Sequence, residues 1–350
     1  MYQRELTKHH IPYMNRLRIV TFLLLMASYA QAFCQDTKVN YIPQVHGALR
    51  ARFEADTQRG GHRFQVRNAR VSLAGQMARN IDYFLQSDFC DQGKFKFLDA
   101  WIRFGITRGL SVQAGQFRMP FGVDCFRAPN NYIFANRSFI GKQICNVRAV
   151  GVKAGYTFPK VPLTVEGGLF NPTPIGDHMV WNDNFAYSFK ATLGINNVKL
   201  ATGFQSIIPD EVRANLIDGS VSWQWGRWLV EGEYMYKHYA DNMHKACHGY
   251  LVYVDYAMPI GLGVFNKLSF QGRFDGMTDH STAKRNAAGL LMTDDPARNR
   301  ITAGATISYV RAKTMLVDLR VNYEKYFYHA GMQLAKGNGD KIVLEAMLRF

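Results

Sequence analysis

The amino-acid sequence predicts an all-β fold, a transmembrane antiparallel β-barrel of about 16 strands over residues 45–350, and three observations predict it. Apolar residues recur at every second position in short segments from Val45 to Phe350. The connections between these segments alternate short and long. Past the N-terminal region, no stretch approaches the roughly 18 consecutive apolar residues that a membrane-spanning helix needs. A soluble protein has no reason to sort its turns by parity. A barrel assembled from the periplasmic side does, because its inner turns are tight while its outer loops lengthen and carry function.

The alternation places strands near 45–55, 64–75, 80–90, 97–106, 110–118, 149–158, 163–170 and 185–194, then near 197–206, 215–225, 227–238, 248–258, 264–274, 300–310, 314–327 and 341–350. The last segment shows the rule. Ile342, Leu344, Ala346, Leu348 and Phe350 share one face, which suits lipid, and Lys341, Val343, Glu345, Met347 and Arg349 share the other, which suits water. Ile301, Ala303, Ala305, Ile307 and Tyr309 oppose Thr302, Gly304, Thr306 and Ser308 in the same way. About ten residues per segment matches a tilted strand crossing roughly 25 to 30 Å of hydrocarbon. Aromatic residues such as Tyr156, Phe158, Trp223, Trp225, Tyr234, Tyr256, Tyr323 and Phe327 fall near strand ends, at headgroup level. An ordinary soluble β-sandwich would need a second buried layer, for which sixteen such strands leave no material.

With the first strand running outward, Gln76–Arg79, Thr107–Gly109, Pro159–Pro162, Ile195–Asn196, Gly226, Pro259–Gly263 and Arg311–Lys313 become short periplasmic turns. Two outward connections are long, Met119–Arg148 and Asp275–Asn299. At the N-terminus, Arg16 and Arg18, an apolar run from Ile19 to Tyr29, and Ala30-Gln31-Ala32 read as a secretory signal peptide over residues 1–32, with translation possible from Met14. Residues 33–44 are then a short periplasmic segment ahead of the barrel. The bulky Phe33 before Cys34 argues against lipoprotein processing. Five cysteines form no CxxC pair and no even framework. Cys125 and Cys145 bracket one long connection, where an exported protein can oxidise them into a bridge or leave them as two unrelated thiols.

Some residues also carry a family likeness. Asp99-Ala100-Trp101 opens a strand, Gly115-Gln116-Phe117 closes the next, and Pro120-Phe121-Gly122 starts the loop that follows; Asn136-Arg137-Ser138 and Arg148-Ala149-Val150-Gly151 continue the pattern. This stretch resembles the outer-membrane porins of the phosphate-selective O and P type, closely over about the first third of the chain. The remainder resembles them only in strand pattern and terminal Phe. The resemblance implies a sixteen-stranded, trimeric porin whose third outer loop folds inward and narrows the pore.

The residues reach a pore independently, since a barrel of about 16 strands leaves an aqueous channel where about eight would be filled by side chains. Met119–Arg148 is the only connection long and early enough to constrict it. Charge then suggests a preference. The chain carries +15 formally, and removing Arg4, Glu5, Lys8, Arg16 and Arg18 with the leader leaves about +12. On the lumen-facing positions, bases such as Arg50, Arg52, Arg70, Arg103 and Lys153 are matched in number by acids such as Glu54, Asp82, Asp88, Asp99 and Glu166. In the long connection, Arg127, Arg137, Lys142 and Arg148 face only Asp124. Those four are the expected constriction and anion path, with Arg50, Arg52, Arg70, Arg103 and Lys153 as basic pore-wall candidates. Fixed cationic charge at a narrow point attracts anions. The same arginines can instead pair with wall carboxylates and merely pin the loop. A phosphate site needs several donors converging on one oxyanion, and Lys94, Lys96 and an Arg50, Arg52, Arg70 ladder are candidates.

Other chemistry is weakly signalled. His238, His244, Cys247 and His248 cluster near one outer loop at spacings that fit no standard metal site. Ser220 and Ser222 have no neighbouring histidine to make a hydrolase nucleophile, and Gly337-Asn338-Gly339 reads as a turn. No cofactor or metal is expected, and dispersed basic residues without an aromatic groove do not indicate nucleic acid. The sequence therefore points to passive diffusion of small solutes, inorganic anions or small polar molecules, with a preference for anions, in the outer membrane of a Gram-negative bacterium, with lipopolysaccharide around the basic outer loops. The other open reading is an adhesin or scaffold barrel acting through its long loops.

Overall fold

A computed structural model describes residues 39–91, 93–145, 147–312, 315–328 and 337–350. Within them, sixteen antiparallel strands close into one barrel in which each strand pairs with its sequence neighbours and β1 pairs with β16. The strands are β1 Gln44–Asp56, β2 His62–Ala78, β3 Ile81–Asp91, β4 Lys94–Gly105, β5 Leu110–Arg118, β6 Arg148–Thr157, β7 Leu163–Phe170 and β8 Ala186–Ile195. The second eight are β9 Val198–Ile207, β10 Ala214–Trp225, β11 Trp228–Tyr239, β12 Cys247–Leu262, β13 Phe265–Met277, β14 Arg298–Val310, β15 Leu316–Tyr328 and β16 Lys341–Arg349. The predicted leader and Cys34 lie outside the described residues, as does Lys313 of the last inner turn.

The wall is apolar outside and polar inside. Along β15, Leu319, Val321, Tyr323 and Phe327 are exposed while Asp318, Arg320, Asn322 and Glu324 are buried. Only solvation by hydrocarbon makes that inversion favourable, because the exposed set would cost free energy in water. Strand ends carry paired aromatics, including Trp223 on Trp225 with centroids 5.8 Å apart and Trp228 on Tyr256 at 4.6 Å. Closure removes the free edges that an open sheet of this length would present. It is fixed by a register running from Ala48↔Arg349 to Asp56↔Lys341.

Differences from the predicted boundaries are small and have local causes. β12 runs on through Pro259 to Leu262, with its register shifting between those residues, so the turn into β13 is tighter than the Pro259–Gly263 connection expected. Proline lacks a ladder donor, and a bulge accommodates it. Arg148 is the first residue of β6 and pairs with Arg118 across β5, so it belongs to the wall and not to the connection. Gly115, at φ +128°, sits where a Cβ would lie 2.2 Å from the Ala100 carbonyl oxygen. Only glycine lets β4 and β5 approach there.

Candidate permeation site

The connection from Met119 to Val147 holds most of the apolar core that is not in the wall. Met119, Phe121, Cys125, Phe134, Phe139, Ile140 and Ile144 are buried in a cluster with Phe117, Phe170, Leu216, Met235, Leu251, Tyr253 and Met277. Its short π-helical segment, Ile140–Ile144, buries Ile140 and Ile144. These apolar side chains find their partner surface on the strands, where they pack against Phe117, Phe170, Leu216 and Met235.

Backbone groups of the same connection are gripped by wall side chains. On one flank carboxylates accept from amides: Val123 and Asp124 N–H donate to Glu233 at 2.8 Å each, and Phe139 N–H to Asp275 at 3.0 Å. Asn322 accepts from Ala135 N–H at 2.8 Å. On the other flank guanidiniums donate to carbonyls. Arg50 and Arg52 both reach the Ala135 oxygen, at 2.6 and 2.5 Å, Arg273 reaches Asn136 at 2.9 Å, and Arg300 reaches Arg137 at 2.6 Å. The partners come from β1, β11, β13, β14 and β15, which lie on one arc of the wall running from β11 round to β1. Gly122, at φ +64°, turns the chain and leaves room for Cys125 Sγ, which lies 2.3 Å from where a Cβ would stand.

A cavity of about 940 Å³ opens between this connection and the wall. Its cationic lining is Arg50, Arg52, Arg63, Arg67, Arg70, Lys96, Arg137, Lys142, Arg148, Arg298, Arg300 and Lys341, against the carboxylates of Glu54, Asp91, Asp294 and Asp295. Most of the arginines are neutralised at one end. Glu345 holds Arg50 and Arg52 at 2.7 Å and Arg320 at 3.0 Å, Asp88 holds Arg70 at 2.8 Å, Asp99 holds Arg148 at 2.9 Å, and Asp275 holds Arg300 at 2.8 Å. Those carboxylates are not in the cavity lining, whereas Glu54, Asp91 and Asp295 line it and pair with Arg52, Arg63, Arg67, Lys96 and Arg298. Arg137 and Lys142 have no carboxylate partner among the described residues. Arg137 donates to the Cys125 carbonyl at 3.2 Å and lies over the Tyr132 ring. Burial, and then the nearby cations Lys341, Arg67, Arg298 and Arg300, push the Lys142 ammonium below the ordinary lysine value. That shift marks a strongly positive local field.

Of the expected residues, Arg137, Lys142, Arg148, Arg50, Arg52 and Arg70 share this cavity, and Arg127, Arg103 and Lys153 are not in its lining. Arg127 makes a bidentate pair with Glu231, at 2.6 and 2.8 Å, and a second contact with Asp124 at 3.3 Å. Its role is therefore to pin the connection to β11. Arg103 pairs with Asp82 at 2.8 Å near an inner turn, and Lys153 with Glu166 at 2.5 Å. The expectation that the four basic residues near the connection face only Asp124 is corrected here, because Glu231 and Asp99 reach them from other strands. Arg63, Arg67, Arg298, Arg300 and Lys341 were not singled out by sequence, although Lys341 and Arg298 sit in phase with the polar faces of their strands. Among the described residues, no group of three or more His, Cys, Asp or Glu side chains is arranged to hold a metal ion.

A closed sixteen-stranded barrel, apolar outside and charged inside, is the architecture of an outer-membrane porin. Residues 44–197 match the family described as phosphate-selective porin O and P, so that part of the chain carries the family's pattern, and the resemblance read from Asp99-Ala100-Trp101 and Gly115-Gln116-Phe117 falls within it. No functionally curated protein sequence matches the chain. Solved structures share the fold at low identity. The outer membrane channel DcaP of Acinetobacter baumannii has a TM-score of 0.60 at 11% identity, covering 90% of this chain and 99% of that one. An anion-selective porin from Comamonas acidovorans gives 0.57 at 13%, covering 88% and 99%. The trimer form of OmpT of Vibrio cholerae gives 0.58 at 10%, covering 88% and 99%.

Proposed function

We propose that this porin is a passive, anion-preferring diffusion channel in which the Met119–Val147 connection folds into the lumen and forms the constriction. The observation that carries the reading is the cavity beside that connection, where twelve cationic side chains face four carboxylates. Anions entering the narrow region are attracted by that excess and cations are repelled. Arg137 and Lys142 act as the charges without a carboxylate partner among the described residues, Arg148, Arg50, Arg52 and Arg70 as partly neutralised wall charges, and Arg127 as the loop's anchor. Arg103 and Lys153 contribute only to the wall. Inorganic phosphate is a candidate solute beside chloride, and the family likeness favours it. Transport needs no covalent chemistry and no cofactor.

The wider assignment follows from the same reading. The chain is exported through a leader over residues 1–32, residues 33–44 lie in the periplasm, and three barrels assemble side by side, as in the OmpT trimer form. The basic outer loops meet anionic lipopolysaccharide. Ion conductance of the purified barrel in a planar bilayer, combined with swelling of liposomes in small sugars, tests the channel itself. Stepwise conductance and size-dependent swelling support it. A folded barrel that gives neither is a scaffold acting through its outer loops.

A further inference from the structure

The two cysteines of the Met119–Val147 connection are free thiols that meet at one apolar cluster. Cys125 is buried at 2% exposure, and Cys145, which follows the Ile140–Ile144 segment, packs against the same cluster and lines the cavity. The stretches around them are tied together. Ser138 Oγ donates to Asp124 Oδ2 and accepts from Gly141 N–H at 3.1 Å, and a Cβ on Gly141 would lie 2.4 Å from Asp124 Oδ2. The Cys125 thiol donates to the Phe121 carbonyl at 3.0 Å, and the neighbouring Cys145 thiol, then burial, pushes it well above its ordinary value. The remaining described cysteines are held elsewhere, Cys90 against the Val66 carbonyl and Cys247 against that of Thr278.

We propose that Cys125 and Cys145 form an intrachain disulfide once the chain reaches the periplasm, closing the constriction segment into a covalent ring. The inference rests on the outer-membrane localisation, since the same pair stays reduced in the cytosol. The oxidant is a protein disulfide of the thiol–disulfide exchange class. The Cys145 thiolate, on the cavity side, attacks one oxidant sulfur, forms a mixed disulfide and releases the other as a thiol. Cys125 then loses its proton, attacks the Cys145 sulfur and expels the second oxidant thiol. Two protein thiols become one disulfide while the oxidant disulfide becomes a dithiol, so electrons and protons balance. The ring ties Phe121–Asp124, which is anchored on β11, to the Ile140–Ile144 segment, and so fixes the width of the narrow region.

The test uses mature barrel purified from outer membranes. It is denatured and alkylated with iodoacetamide before any reduction, then digested and weighed. The expected result is one peptide pair joined through Cys125 and Cys145, lighter than the two free peptides by two hydrogens, with Cys90 and Cys247 alkylated. Dithiothreitol before alkylation should free the pair, and Cys125→Ser should leave Cys145 alkylated. Both residues alkylated in heat-modifiable barrel, even after diamide, overturns the disulfide, as does a Cys145–Cys247 link. Protein missing from the outer-membrane fraction instead overturns the localisation on which the link depends.

Discussion

Charge reversal at Lys142 has a size that the cavity sets. A volume of 940 Å³ corresponds to a radius of about 6 Å, and a unit charge on the wall acts on an ion at the centre with about 0.7 kcal/mol in water. Lys142→Glu changes the wall by two charges, giving roughly 1.4 kcal/mol unscreened. Salt at 0.1 M has a Debye length of about 10 Å and cuts this to roughly 0.8 kcal/mol. Chloride is disfavoured and potassium favoured by that amount, so the expected loss is about fifteenfold in the chloride over potassium permeability ratio, measured from the reversal potential at that salt, and larger as salt is lowered. Lys142 is the right probe because no carboxylate among the described residues compensates it and its segment is not a strand, so the barrel should assemble normally. A ratio unchanged within error, with conductance intact, would refute the placement of the narrow region beside Lys142.

Four further outcomes follow from the same contacts. Anion preference should fall as pH rises toward 10.5, earlier than an ordinary lysine would allow, because the lowered Lys142 value means its charge is lost sooner; Lys142→Arg should remove that dependence in the same bilayer titration. Glu345→Gln leaves Arg50 with Asn68 and the Ala135 carbonyl as its remaining acceptors, whereas Arg52 keeps Glu54 and Arg320 keeps Asp318. Removing one partner of a buried pair costs about 3 to 5 kcal/mol, which denaturant unfolding in detergent should register. Arg127→Ala should lower stability by a comparable amount through loss of the Glu231 pair while changing selectivity less than Lys142→Glu does, a contrast that bilayer recordings and unfolding curves read together. Gly115→Ala should cost about 2 kcal/mol or more from backbone strain, seen as loss of the heat-modifiable band on gels.

The strands were legible because period-two alternation is strongest where one face meets lipid and the other water. Leu110–Arg118 and Leu163–Phe170 emerge with the predicted ends. The overrun at β12 was hidden because Pro259 and Gly261 read as turn residues, although Ile260 and Leu262 keep the apolar alternation. At the candidate site, sequence misjudged how the basic residues of the Met119–Val147 connection are neutralised. Asp99 and Glu231 lie 49 and 104 residues from the arginines they hold, so no local reading of charge could pair them. Arg50 and Arg52 looked like an anion ladder because their spacing is regular. Much of their hydrogen bonding goes to Glu345 and to the Ala135 carbonyl. Arg298 and Arg300 lie in phase with the polar face of β14 but at its outer end, and nothing in the local sequence shows that the Met119–Val147 connection packs beside them.

Reversal potential across a planar bilayer in a KCl gradient, with the unmodified barrel beside a variant carrying Arg127, Arg137, Lys142 and Arg148 all changed to Ala, tests the central claim most directly. The account predicts chloride preference in the first, a weaker preference in the second, and reduced chloride current when phosphate is added to the unmodified barrel. Cation preference, or no preference, in the unmodified barrel would contradict it.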